Sequence, residues 1–168
     1  MPRTARRTLA LSPLELIDFT RFFAGEISAG RYRDISFDVD ERWHQRIYRD
    51  QRLDVWILSW LPSQGTQLHD HGGSNGAFTV LRGELTETVA GASGLADFVR
   101  DESSSVGFGA RYVHDVRNVG TEPAVSVHAY SRPLTSMTFY DLEEGRLVPL
   151  ATVPTDDPEP FEIGQVAS

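Results

Sequence analysis

Apolar and polar positions divide the chain into two regimes. Over residues 12–25 the apolar side chains Leu14, Ile17, Phe22 and Phe23 recur at a partly helical spacing. Ser12 supplies an N-cap, Pro13 a first-turn proline and Glu15 the acid of a capping box, while Gly25 offers a stop. One helix of about three turns is expected there. Residues 26–45 are mixed, with Tyr32, Ile35, Phe37 and Trp43 as anchors. From about residue 46 the period becomes that of short strands, at 46–48, 53–61, 66–71, 77–81, 85–89, 96–99, 106–108, 112–116, 124–131 and 135–140, with an edge at 147–150. The run 53–61 is apolar on both faces and is expected in the middle of a sheet. Strands spaced about 8–12 residues apart after a single helix predict an all-β jelly-roll barrel with a short N-terminal helical segment. The expected organisation is one domain over 1–168: a basic arm (1–10), a helical and irregular segment (11–45), the β-barrel (46–150) and an acidic, proline-rich tail (151–168) that is extended on the surface or disordered.

Composition narrows the chemistry. A net charge of −8 argues against nucleic acid as a partner, because phosphate binding needs a basic face. The chain has no cysteine, so thiolate metal ligands, cysteine nucleophiles and disulfides are excluded. The basic N-terminus is not followed by a signal-peptide core, and no apolar run reaches the roughly 18 residues of a membrane span. A soluble cytoplasmic protein is expected. No heptad or long apolar edge demands an oligomer, so a monomer or weak homo-oligomer is the expectation.

The candidate chemistry lies in three strand-like segments. His69 and His71 stand at i and i+2, so they share one face while Asp70 takes the other. His114 lies in a second segment and His128 in a third. Histidines from several strands of a small barrel converge only on its inner side. Three neutral imidazoles leave the charge of a divalent ion uncompensated and about three of six octahedral positions open, which suits a chelating anion beside dioxygen. The positions four and five after His71 hold Asn75 and Gly76, so no carboxylate ligand is available there. On 125–130, Ser126, His128 and Tyr130 share one face and Val125, Val127 and Ala129 the other. Such a pattern fits a solvent-facing strand, or a hydrogen-bonded chain in which Ser126 fixes His128 and His128 bonds Tyr130.

These blocks, His69-Asp70-His71 with Gly83 downstream, His114-Asp115-Val116-Arg117-Asn118-Val119, and Thr121 through Ser131, resemble the cysteine dioxygenase family of cupins over about residues 43–141. The resemblance implies Fe(II) on His69, His71 and His114, the outer-sphere triad Ser126, His128 and Tyr130, and oxidation of a small thiol to its sulfinic acid with dioxygen. It also implies an arginine that grips the substrate carboxylate, with Arg46 first and Arg49 and Arg42 behind it.

Two departures bear on subtype. Gly76 stands where mammalian members carry the cysteine that cross-links to the tyrosine, so no thioether to Tyr130 can form. Ser131-Arg132-Pro133 replaces the Ser-Pro-Pro of cysteine-specific members; their cis Ser–Pro bond is therefore not expected, and Arg132 is placed near the pocket as a substrate-binding residue. The substrate is thus cysteine or a close small thiol, with 3-mercaptopropionate or another mercapto acid as the alternative. Other classes are a metal-dependent cupin isomerase or oxygenase without a thiol substrate, which usually keeps the missing glutamate, and a non-catalytic metal- or ligand-binding cupin, which has no need of an oriented phenol. His44 has no assigned role.

Overall fold

The computed structural model describes residues 9–32 and 34–160. Most of the expected basic arm and the last eight residues of the tail lie outside these. A helix, α1 (Pro13–Ser28), precedes ten strands: β1 (His44–Arg49), β2 (Asp54–Trp60), β3 (Asn75–Arg82), β4 (Leu85–Gly91), β5 (Gly94–Arg100), β6 (Ser105–Phe108), β7 (His114–Arg117), β8 (Ala124–Ser131), β9 (Ser136–Glu143) and β10 (Arg146–Pro154). The capping box forms as expected, with Glu15 N donating to Ser12 Oγ and Ser12 N to Glu15 Oε2 at 2.8 Å. The helix does not stop at Gly25. It continues to Ser28 because Ile27 is buried against the sheet, which outweighs the roughly 1 kcal/mol helix penalty of a glycine.

All strand pairings are antiparallel, and the first sheet has the order β1-β2-β8-β3-β6. Every residue of β2 and β8 is buried, so both strands face apolar layers on their two sides. Val55, Ile57, Val125, Val127 and Ala129 pack with Leu16, Phe23 and Ile27 of the helix. Trp56, Leu58 and Trp60 point the other way, into the barrel with Phe78, Val116 and Phe139. Burying one such leucine or phenylalanine contributes about 1.5–3 kcal/mol, so the helix docks through a few well-packed side chains. It turns what would be a solvent-facing sheet into a two-sided one.

β5-β4-β7 and β9-β10 form the second layer, and the segment 65–71 fills the gap between them. The sequence suggests a full strand there. The structure gives instead isolated bridges of Gly65 to Arg117 and of His69 to both His114 and Phe139. Asp70 secures the segment from its outward side: Oδ1 accepts from Thr138 N at 3.0 Å, and Oδ2 from Tyr140 Oη at 2.8 Å. Gly72 then turns with φ +58°, a conformation that favours glycine.

Two boundaries differ from expectation. β10 extends the sheet through Pro154, and the following residues do not trail over the surface: Pro158 is buried and so is the side chain of Glu159. No helix among the described residues is long and apolar enough to cross a membrane.

Candidate metal centre

His69 and His71 come from the bridging segment and His114 from the start of β7, and the His69–His114 bridge fixes these two in register. One ring nitrogen from each of the three lies within 4.8 Å of the others, and all three side chains are buried. Ring centroids are 4.9 Å apart for His69–His71 and His69–His114, and 5.1 Å for His71–His114. Burial holds the imidazoles neutral: that of His69 falls to about 4, and those of His71 and His114 are well below the usual value, with their neighbours adding to the effect. Neutral rings are the form that ligates a cation.

Their outer nitrogens are held differently. His69 Nδ1 lies 2.7 Å from the carbonyl of Gln67, which can only accept, so Nε2 is left to face its neighbours. His114 Nδ1 lies 2.8 Å from Glu87 Oε1. Glu87, on β4, is fully buried; it also accepts from Tyr112 Oη at 2.8 Å and from Arg100 at 2.7–2.8 Å. A carboxylate behind a histidine fixes its tautomer and raises its basicity as a ligand. His71 has a buried Nδ1 without a hydrogen-bond partner and is held by rings, with Phe108 at 4.7 Å and Tyr130 at 5.4 Å. Three neutral, close-set imidazoles fit a divalent metal.

The facing wall of the cavity comes from β8 and β2. Ser126 Oγ lies 2.8 Å from His128 Nε2 and accepts from Trp60 Nε1 at 2.9 Å. His128 stacks on Phe78 at 5.3 Å, and burial lowers its titration to about 3. The expected bond from His128 to Tyr130 does not form: their rings are 6.5 Å apart, and no hydrogen bond joins them. His128 Nε2 is engaged by Ser126 instead, so the phenol stands outside this hydrogen-bonded chain. Burial, reinforced by the carboxylates of Glu159, Asp54 and Asp157, raises its pKa and keeps it protonated. His69, His114, His128 and Tyr130 line one cavity together with Trp60 and Glu159.

Gly76 lies directly opposite Tyr130 in the β3–β8 register. A Cβ at Gly76 would meet the ring of Phe108 at 2.3 Å, so Phe108 fills the space that a cross-linking side chain would take. Gly76→Cys is expected to lower stability by about 1–3 kcal/mol in urea unfolding, the usual cost of overpacking.

Arg42, Arg46 and Arg49 are tied down. Arg46 lies 4.4 Å over the ring of Trp56 and donates to Asp54 at 2.9 Å and to Asp156 at 3.2 Å. Arg49 pairs with Asp156 at 2.8 Å. Arg42 lines an adjoining cavity that shares His69 and Glu159 with the first; it pairs with Glu159 and donates to the carbonyl of Gly65. Arg132 is exposed at the end of β8, outside the cavity lining. The Ser131–Arg132 peptide is cis, which corrects the expectation drawn from the missing proline. His44 bonds Asp157 at 2.8 Å.

The sequence reading missed Glu87 and the 155–160 segment. Glu87 had a signal, a lone acid at an inward position of a strand, two residues from Leu85, which packs in the barrel core. The tail had only its composition, which pointed outward.

The model of the family described as cysteine dioxygenase type I matches residues 28–143, well over half of the chain. The chain belongs to this family. It is 31% identical to cysteine dioxygenase type 1 of Danio rerio over 105 residues, covering 56% of this chain and 52% of the relative. The Homo sapiens protein is 28% identical over 104 residues with the same coverage, so the chain spans about half the length of these two relatives. The Bos taurus protein is 26% identical over 170 residues, 83% of this chain and 85% of its own. Among solved structures, one from Thermus thermophilus superposes with a TM-score of 0.53 at 21% identity, covering 59% of this chain and 90% of that one. A recombinant oxalate oxidase superposes with a TM-score of 0.53 at 15% identity, covering 61% and 56%. These neighbours establish the jelly-roll cupin fold for this family member.

Proposed function

We propose that the protein is an iron-dependent thiol dioxygenase that oxidises cysteine, or a close small thiol such as 3-mercaptopropionate, to its sulfinic acid with dioxygen. The observation that carries this reading is the pairing of three buried neutral histidines with a hydrogen-bonded histidine and a buried phenol across one cavity. Fe(II) held by His69, His71 and His114 would supply Lewis acidity that lowers the thiol pKa, and the redox chemistry that dioxygen requires. With no ligand carboxylate, the histidines leave the full positive charge to favour a thiolate. Tyr130, kept protonated by burial, offers its O–H to the bound substrate, and Ser126 with Trp60 holds the His128 ring beside it. An arginine takes the substrate carboxylate; the resemblance favours Arg46 first, with Arg49 and Arg42 behind it, and of these Arg42 lies beside His69. The sulfur receives both oxygen atoms, and no external reductant is needed.

The test is anaerobic reconstitution with Fe(II), followed by oxygen uptake with cysteine and with 3-mercaptopropionate and assay of the sulfinate. One sulfinate formed per oxygen consumed supports the reading and selects the substrate; bound iron with no uptake on either thiol would move the function to a different mercapto acid or to a binding cupin. Tyr130→Phe is expected to retain iron and to lower kcat/KM by about 10–100-fold, the loss of one hydrogen bond to a charged group.

A further inference from the structure

The segment after β10 returns across the mouth of the barrel and meets its basic groups one by one. Asp156 takes Arg46 and Arg49, Asp157 takes His44, and Glu159 takes Arg42. Of these acids only Glu159 lines the cavity beside His69, and its side chain is just 6% exposed, as Arg42 is 11%. The segment is internally braced, since Asp157 Oδ1 accepts from Glu159 N at 2.8 Å and Thr155 Oγ1 from Asp157 N at 3.0 Å. Pro158 is buried beside Glu159 on the same wall. The result is a carboxylate on a short backbone tether, bonded to a guanidinium at the edge of a three-histidine cluster. A small mercapto acid presents the same two features, a carboxylate and a group directed at the metal.

We propose that Glu159 is the specificity-determining residue of this site, a resident carboxylate that holds Arg42 in place of the substrate's and is displaced by it. The inference rests on the thiol dioxygenase reading for the identity of the ligand. Exchange of one carboxylate for another on the same arginine leaves the buried charge paired throughout, whereas a thiol without a carboxylate has nothing to offer Arg42. Withdrawal of Glu159 also draws Asp156 from Arg46 and widens the entrance. The preference for carboxylated thiols over aminothiols is therefore supplied by Arg42 and held down by competition from the chain's own acid.

Amide hydrogen exchange over 155–160 tests this on the iron-loaded full chain under anaerobic conditions, with 3-mercaptopropionate and cysteamine as probes. Faster exchange with 3-mercaptopropionate but not with cysteamine is expected. In Glu159→Gln, which keeps the shape, the affinity for 3-mercaptopropionate relative to cysteamine is expected to rise about 10-fold, or 1.4 kcal/mol. Exchange that is unchanged by 3-mercaptopropionate, or a ratio that stays level or falls in the variant, would overturn the proposal. Neither readout needs turnover, so missing sulfinate counts against the dioxygenase reading and not against this one.

Discussion

His71→Ala is expected to lose iron on desalting and to show oxygen uptake at background, a larger loss than the roughly 100-fold that follows removal of a supporting residue. His71 is the most informative of the three histidines to remove. Its Nδ1 has no partner, so the substitution breaks no hydrogen bond and leaves the backbone bridges of His69 intact. What remains is a cavity against Phe108 and Tyr130, which costs stability but keeps the sheet order. Iron analysis beside a urea titration separates the two effects. Retained iron at one per chain in a folded variant would remove His71 from the ligand set.

Glu87→Ala is expected to act on both metal and fold. The carboxylate is fully buried and gathers His114, Tyr112 and Arg100. Removing it leaves a guanidinium and two other donors without their acceptor, at a cost of about 3–5 kcal/mol for a broken buried pair, nearer the lower figure because Arg100 is 23% exposed. Metal affinity is expected to fall about 10–100-fold in chelator competition, since His114 loses the group that fixes its tautomer. Glu87→Gln keeps an acceptor for His114 without the charge and is expected to lie between. An alanine variant that is destabilised yet binds metal as tightly as before would show that Glu87 serves packing alone.

The parts of this architecture that were legible in the sequence are those set by local periodicity. Strand β8 has its expected bounds because Val125, Val127 and Ala129 alternate with Ser126, His128 and Tyr130, each set facing a different buried layer. The capping box is a four-residue signal and forms as read. His69 and His71 share a face as their spacing requires, and Asp70 takes the other, bonded to β9. Non-local pairing was not legible. Glu87 meets His114 across 27 positions, and Glu159 meets Arg42 across 117. Nothing in an acidic, proline-rich stretch distinguishes carboxylates bound for solvent from those bound for distant arginines. The helix runs past its expected end for a related reason: Gly25 is a local stop signal, and the burial of Ile27 that overrides it depends on the sheet.

The segment that carries His69 and His71 joins β7 to β9 through isolated bridges and scattered backbone bonds, among them Thr66 N to Val116 O, His69 N to His114 O, Asp70 N to Thr138 O and Tyr140 N to Leu68 O, instead of a continuous ladder. A seam without a regular ladder opens more readily than the continuous strand pairs beside it. An ion held by His69 on the seam and His114 on β7 would act as a rivet across it, tying the lifetime of the closed barrel to the residence time of its metal.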